Sequence, residues 1–350
     1  MSCTHRRLAG THHSVSVVMP MRDEQDFIAD CLDAILANDY PSDHLEILVI
    51  DGQSTDRSPD IVRQYAERHS CVRLLDNEKR IASAALNVGL RQARGDVIVR
   101  MDAHTVYASD YVRTCVELLE TTGAASVGGV QRAVGTGYRG NAIAIATTTP
   151  FGIGGAPFRH KEGAMWVDTV YLGAWRRSTL EGIGGFDEDW VANEDYELNV
   201  RLRQAGGRIL LSPDIRCWYH VRPTVRALAQ QWLRYGFWKV KTLVAHPGSL
   251  RWRQLAPLAL VAALMISLGL LPLSPALGAA VPLLYLGANL LAAVWTAYLR
   301  GWRYLPLLPL VFATIHLSWG AGFLAGLFQW GIPRITVSSL VSAFRSPDSV

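Results

Sequence analysis

The sequence predicts an α/β fold: a doubly wound, mostly parallel sheet followed by C-terminal transmembrane helices. Three observations carry this expectation. Short β-branched runs alternate with amphipathic helical segments over residues 14–121, the pattern of a parallel sheet with helices on its faces. Acidic residues then stop. Positions 215–347 hold twelve Lys and Arg and no Asp or Glu, against 22 basic and 29 acidic residues in positions 1–214. Three apolar stretches follow one another in the same region, each close to the ~20 residues that cross a bilayer.

Residues 14–20 (SVSVVMP) form a β-branched run ending in Pro, a buried strand. Residues 26–38 carry Phe27, Cys31, Ala34 and Ile35 at helical spacing. Residues 45–50 (LEILVI) make a second buried strand, stopped by Asp-Gly. A helix at 59–69, a short strand at 72–75 and a helix at 82–93 come next. Residues 96–101 (DVIVRM) are a third strong strand, again ending at an Asp, and 111–121 a helix. Sheets of this kind bind ligands beyond the carboxyl ends of their strands. Pro20, Asp51 and Asp102 all stand at such ends. Residues 123–165, rich in Gly, Ala and Thr, read as a loop-rich passage over the site. A short strand at 209–211 leads toward His220, and 224–243 reads as a helix after Pro223. That helix mixes aromatic residues with Arg and Lys, which suits a membrane interface; a core helix is the alternative.

The expected organisation is therefore a disordered segment (1–13), an α/β domain (14–223), an amphipathic interfacial region (224–250), a membrane region of about three helices (251–330) and a tail (331–350). The spans are 255–273, 275–298 and 305–329. Arg251 and Arg253 precede the first, Arg300 and Arg303 separate the second and third, and the first turn is uncharged. The positive-inside rule then makes this a multi-pass protein of the inner (cytoplasmic) membrane, with the α/β domain in the cytosol and the C-terminus outside. A re-entrant last segment would reverse the C-terminus. No apolar signal segment leads the chain. The five scattered cysteines suggest neither zinc, nor a redox pair, nor disulfides. The basic residues flank apolar spans and form no soluble stripe, which argues against nucleic acid.

Six clusters carry candidate chemistry. Residues 17–24 (VVMPMRDE) put Pro20, Met21 and Glu24 at the first strand tip, where backbone can meet a nucleotide. Residues 49–56 (VIDGQSTD) put Asp51 at the second tip, able to accept from a base N–H or a ribose hydroxyl; a plain turn aspartate is the alternative. In 77–87 (NEKRIASAALN), Lys79 and Arg80 precede a helix N-terminus, a place for a diphosphate or for ordinary solvated charges. Residues 100–104 (RMDAH) deliver Asp102 and His104, both able to ligate a divalent cation, Mg²⁺ or Mn²⁺. In 184–198 (GGFDEDWVANEDYEL), Glu194 and Asp195 open a helix. A carboxylate there can take a proton from an attacking hydroxyl, or merely complement the helix dipole. His220 is a third metal ligand or a structural histidine. Gln231, Arg234 and Tyr235 share one helical face and can hold an acceptor or a diphosphate.

In this order, the clusters resemble the family 2 glycosyltransferases of GT-A fold, over about residues 14–245. The resemblance implies a nucleobase site at Asp51, a metal-binding D-x-D motif opening at Asp102, a catalytic base at Asp195 of the Glu194–Asp195 pair, and a Q-x-x-R-W motif at Gln231, Arg234 and Tyr235. His104 departs from the second Asp, and Tyr235 from the Trp. The D-A-H form, the G-A-W-R-R segment with Trp175 and the C-terminal spans look most like bacterial succinoglycan-type exopolysaccharide glucosyltransferases. The implied activity is inverting transfer from a nucleotide diphosphate sugar, UDP-linked by the Asp51 analogy, to a lipid-linked oligosaccharide at the bilayer. A processive polysaccharide synthase, a nucleotidyltransferase and an inactive membrane scaffold are the rival readings.

Overall fold

The fold is that of a computed structural model, which describes residues 13–154, 163–251 and 254–334. Residues 1–12 of the expected disordered segment and 335–350 of the tail lie outside the described residues, as do Cys3 and Arg253. The strands are β1 (Val15–Met21), β2 (Leu45–Asp51), β3 (Val72–Asp76), β4 (Val97–Arg100), β5 (Thr105–Tyr107), β6 (Ser126–Val134), β7 (Met165–Val167), β8 (Tyr171–Arg176) and β9 (Ile209–His220). The helices that cover them are α1 (Ile28–Leu36), α2 (Ser58–Arg68), α3 (Ala82–Gln92), α4 (Tyr111–Thr122), α5 (Gly137–Ala146), α6 (Pro150–Ile153), α7 (Arg177–Gly182) and α8 (Glu194–Gln204). After β9 come α9 (Val225–Ala245), α10 (Ala256–Leu270), α11 (Pro275–Arg300) and α12 (Leu308–Trp330).

The sheet runs β3-β2-β1-β4-β8-β6-β9-β5, with β7 beside β9. The first four strands are parallel, and β1, β2 and β4 are apolar enough to be buried on both faces. Beyond β4 the pairing becomes mixed: β8 is antiparallel to β4 and β6, while β6 and β9 pair in parallel. Side chains from alternate positions fill two cores. Val17, Met19, Ile47 and Val49 face α1 and α4, and Val18, Leu48 and Ile50 face α3 and α8.

Two expectations change here. The described part of residues 123–165 is not mainly loop, since β6, α5 and α6 lie within it. The glycines that suggested a loop serve close packing instead. A Cβ on Gly128 would come 2.6 Å from that of Val170, and one on Gly129 would come 2.2 Å from the Ile215 carbonyl. The short strand before His220 is a single twelve-residue strand, β9, held on both sides.

Of the three expected spans, two helices are long and apolar enough to cross a membrane, α11 and α12. α10 has 15 residues, about 22 Å of helix against a hydrocarbon thickness of about 30 Å.

Candidate active site

The carboxyl edge of the parallel strands opens into a cavity of about 910 Å³. Its polar wall holds Asp102 and His104, which leave the end of β4, and Glu194 and Asp195, which begin α8. Gln231, Arg234 and Tyr235 of α9 close the next side. Three of the six predicted clusters thus line one space, brought there by three elements far apart in sequence.

The local chemistry shows why these groups stay in place. The Gly184–Gly185 turn is tied to α8 by Arg201, whose guanidinium donates to the Ile183 and Gly185 carbonyls (2.7 and 2.8 Å) while pairing with Glu197. Asn87 of α3 grips the backbone of Phe186 through both side-chain atoms, 2.9 and 2.8 Å. Phe186 anchors the turn in the core against Trp175. Asn193, in the left-handed region at φ 62°, turns the chain into α8, and its amide donates to the Tyr235 carbonyl at 3.1 Å. Gln231 donates to the hydroxyls of Tyr219 (3.0 Å) and Tyr235 (3.1 Å). Arg234 donates to the Val191 carbonyl.

Arg100 is the electrostatic centre and was not singled out from sequence. Its side chain is buried and reaches Asp102 at 3.3 Å and Glu194 at 3.0 Å. Burial works against its charge, but the carboxylates of Asp102, Glu194 and Asp195 outweigh that and hold the guanidinium protonated. Asp195 feels the opposite balance. Burial and then the neighbouring Glu194 push its pKa up to about 6, while Arg100 and the Tyr196 N–H (2.7 Å) restrain the rise. A carboxyl near 6 is ionised at neutral pH and more basic than an exposed one, which suits a general base.

His104 is oriented by Glu24, whose Oε1 lies 3.0 Å from Nδ1. Glu24, expected at the nucleotide, therefore backs the imidazole. A carboxylate behind Nδ1 leaves Nε2 available as a ligand. With Asp102, this set fits Mg²⁺ or Mn²⁺ completed by phosphate and water. The expected third ligand does not join. Among the described residues no three His, Cys, Asp or Glu side chains cluster to hold an ion. His220 bonds the His104 carbonyl through its backbone N–H (3.2 Å), but its ring packs 5.4 Å from that of Phe27.

Asp51 stands at the same edge, two strands from β4, a lateral offset of about 10 Å. It does not line the cavity. Ser54 donates to it through N–H (3.2 Å) and Oγ (2.6 Å), which fixes the carboxylate. Pro20 and Met21 lie beside it, in register with Ile50 and Asp51. Arg80 sits at a left-handed φ of 59° and donates through Nε to Gln53, on the loop after Asp51. Trp175 is a correction: it is 1% exposed, inside the core between β8 and α8, so no acceptor reaches it. Its G-A-W-R-R segment is an interior strand, and an aromatic residue there fills volume.

Residues 16–182 match the family model for glycosyl transferase family 2. The succinoglycan biosynthesis protein ExoA of Rhizobium meliloti is 32% identical over 318 residues, 89% of this chain and 94% of that protein. The chain belongs to glycosyltransferase family 2. This glycosyltransferase is also 27% identical, over 63% of its length and 71% of the relative's, to a Methanococcus voltae dolichyl N-acetyl-α-D-glucosaminyl phosphate 3-β-D-2,3-diacetamido-2,3-dideoxy-β-D-glucuronosyltransferase. Among solved structures, it is similar to a mannosyltransferase from Pyrobaculum calidifontis in complex with GDP-mannose and Mn²⁺. The TM-score is 0.62 and the identity 26%, covering 88% of each chain. The glycosyltransferase thus has the GT-A fold with two apolar C-terminal helices, and it acts in glycan or polysaccharide biosynthesis.

Proposed function

We propose that this enzyme performs an inverting transfer of a sugar from a UDP-linked donor to a lipid-linked acceptor at the cytosolic face of the inner membrane. One observation carries the acceptor class. The cavity that holds Asp102 and Asp195 continues past Tyr235 to apolar side chains of the C-terminal helices, Leu260, Ile315 and Trp319 among them. A wall that is charged at one end and apolar at the other suits an amphiphile. The dolichyl-linked acceptor named for the Methanococcus voltae relative is of that kind.

In this proposal Asp51, with Pro20 and Met21, receives the nucleobase and ribose. Arg80 and Arg234 face the diphosphate. Asp102 and His104 hold the divalent cation, which when bound neutralises charge on the leaving diphosphate. Asp195 removes the proton from the acceptor hydroxyl as its oxygen attacks the anomeric carbon, and the C–O bond to the diphosphate breaks on the opposite side. Glu194, bonded to Arg100, holds the start of α8 in place. Gln231 and Tyr235 border the acceptor's entry. Positioning and charge stabilisation then carry most of the rate.

A panel of radiolabelled nucleotide sugars incubated with membrane lipid extract, with and without Mn²⁺, tests this. Label entering the organic phase from a UDP-sugar, only with metal present, is the expected result. Label in a water-soluble acceptor alone would overturn the lipid-linked class, and a ladder of lengthening products would favour a processive synthase.

Removing the partner of His104 has a defined consequence under the same proposal. Glu24→Gln weakens the apparent Mn²⁺ affinity by about 10–100-fold, the usual cost of losing such an orienting group, with little change in rate at saturating metal. A titration of activity against Mn²⁺ checks this, and an unmoved half-saturation point would detach Glu24 from the metal site.

A further inference from the structure

Helix α12 is long and apolar enough to cross a bilayer, yet its neighbours hold it elsewhere. It runs beside α9 in the same direction. Trp232 meets Trp319 (ring centroids 5.9 Å), Gly322 meets Leu233, and Trp238 meets Trp330 (5.6 Å). The two helices touch backbone to backbone. A Cβ on Gly322 would fall 2.0 Å from the Leu233 carbonyl, and one on Gly236 would fall 2.2 Å from the Trp319 carbonyl.

α9 itself belongs to the catalytic unit. Arg234 donates to the Val191 carbonyl, Lys241 to that of Asp189 (2.6 Å), and the Trp190 indole to Thr242 (3.0 Å). With Arg226, Arg234, Lys239 and Lys241 along it, α9 is no helix for the hydrocarbon core. The first half of α12 is held just as firmly. Leu308, Val311, Phe312 and Ile315 pack with Ala142, Ile143 and Ala146 of α5, and His316 lies 2.8 Å from the Phe151 carbonyl. A helix of 23 residues, about 34 Å long, is thus fastened to the catalytic unit along its whole length. Its exposed residues are Leu310, Leu317, Ala321, Ala325, Phe328 and Gln329, all uncharged and, apart from Gln329, apolar, with Phe328 91% exposed.

The α10–α11 hairpin also begins and ends at the catalytic unit. At one end Pro257 touches Gly320 of α12. At the other, Tyr138 stacks on Tyr304 (5.8 Å) and donates to the Arg303 carbonyl (2.8 Å).

We propose that α12 lies in the plane of the membrane interface, with its apolar face in the lipid. The described chain then ends on the same side as the catalytic unit, and only the α10–α11 hairpin goes deeper. This rests on the membrane association proposed above. It replaces the expected third crossing, because a helix cannot both lie along a cytosolic unit and leave it to traverse 30 Å of hydrocarbon, roughly the core thickness.

The test uses the full-length chain in native membranes, with Cys3 and Cys71 replaced by Ser. Ile332→Cys, at a position 84% exposed, and Glu67→Cys, exposed on the catalytic unit, are treated with a membrane-impermeant maleimide in inside-out and right-side-out vesicles. Both are expected to label at least about tenfold more strongly in the same vesicle type. Labelling of the two from opposite sides overturns the proposal. A second readout places an environment-sensitive dye on Leu317→Cys and on Phe328→Cys, about 17 Å apart along the helix. Equal quenching by shallow-labelled lipid is expected, and a clearly deeper Leu317 overturns the in-plane helix. Should the protein remain in the soluble fraction after membrane sedimentation, the membrane association itself fails, a result distinct from labelling on opposite sides.

Discussion

Asp195→Asn is expected to lower turnover by about 10²–10⁴-fold, the range for losing a positioned general base, while donor binding stays near normal. The side chain keeps its shape and loses only the ability to take a proton. The pH profile carries the same signature. In the proposed role of base Asp195, whose pKa is about 6, acts only when ionised, so kcat is expected to hold above that pH and to fall as pH drops through it. Stability follows the opposite course. The folded-state value exceeds the ordinary 3.8, so the folded chain retains this proton longer, and stability decreases as pH rises from about 4 to about 6. At neutral pH the native protein therefore bears a desolvated charge that Asn does not have. Asp195→Asn is expected to melt at an equal or higher temperature than the parent while being nearly inactive. Kinetics against pH, together with thermal unfolding in detergent, check both halves. Turnover near that of the parent would remove Asp195 from the role of base.

The second large effect belongs to Arg100→Met. This buried cation faces three carboxylates, Asp102, Glu194 and Asp195. Its removal leaves them without their shared counter-charge, a loss of about 3–5 kcal/mol in stability for a buried pair broken on one side. Since Arg100 restrains the rise in the Asp195 pKa, the acidic limb of the rate profile should also move to higher pH. Adding Glu194→Gln should recover part of the stability, because one of the unpaired charges is then gone. Unfolding midpoints and pH–rate profiles of the single and double variants decide it. A destabilisation under about 1 kcal/mol with an unmoved limb would make Arg100 a bystander.

These predictions join residues whose partnership was only partly visible in the chain. Asp102 at a strand tip and Glu194–Asp195 at a helix start are local patterns, and local patterns can be read from spacing and composition. Arg100 pairs with Glu194 across 94 residues, and His104 with Glu24 across 80. No periodicity announces such contacts. A buried arginine in an apolar strand was the available signal, since a charge is rarely enclosed without partners. Glu24 gave no signal that separated it from an ordinary loop carboxylate. Trp175 shows the reverse error. A segment notable for its residue types proved to be core, because burial depends on which strands flank it.

Apolar strand runs alternating with helical segments, and strand-ending aspartates, were enough to set the parallel half of the sheet, the edge where the candidate site residues gather and the division into a polar front and an apolar back. Those features arise between neighbours in the chain, through φ/ψ preference and side-chain period. The mixed half of the sheet, the ring of carboxylates around Arg100 and the course of α12 come from contacts between distant segments. There the same apolar helix can face lipid on both sides or lie against protein on one. Composition does not distinguish these two cases, and the backbone contact between Gly236 and Trp319 does.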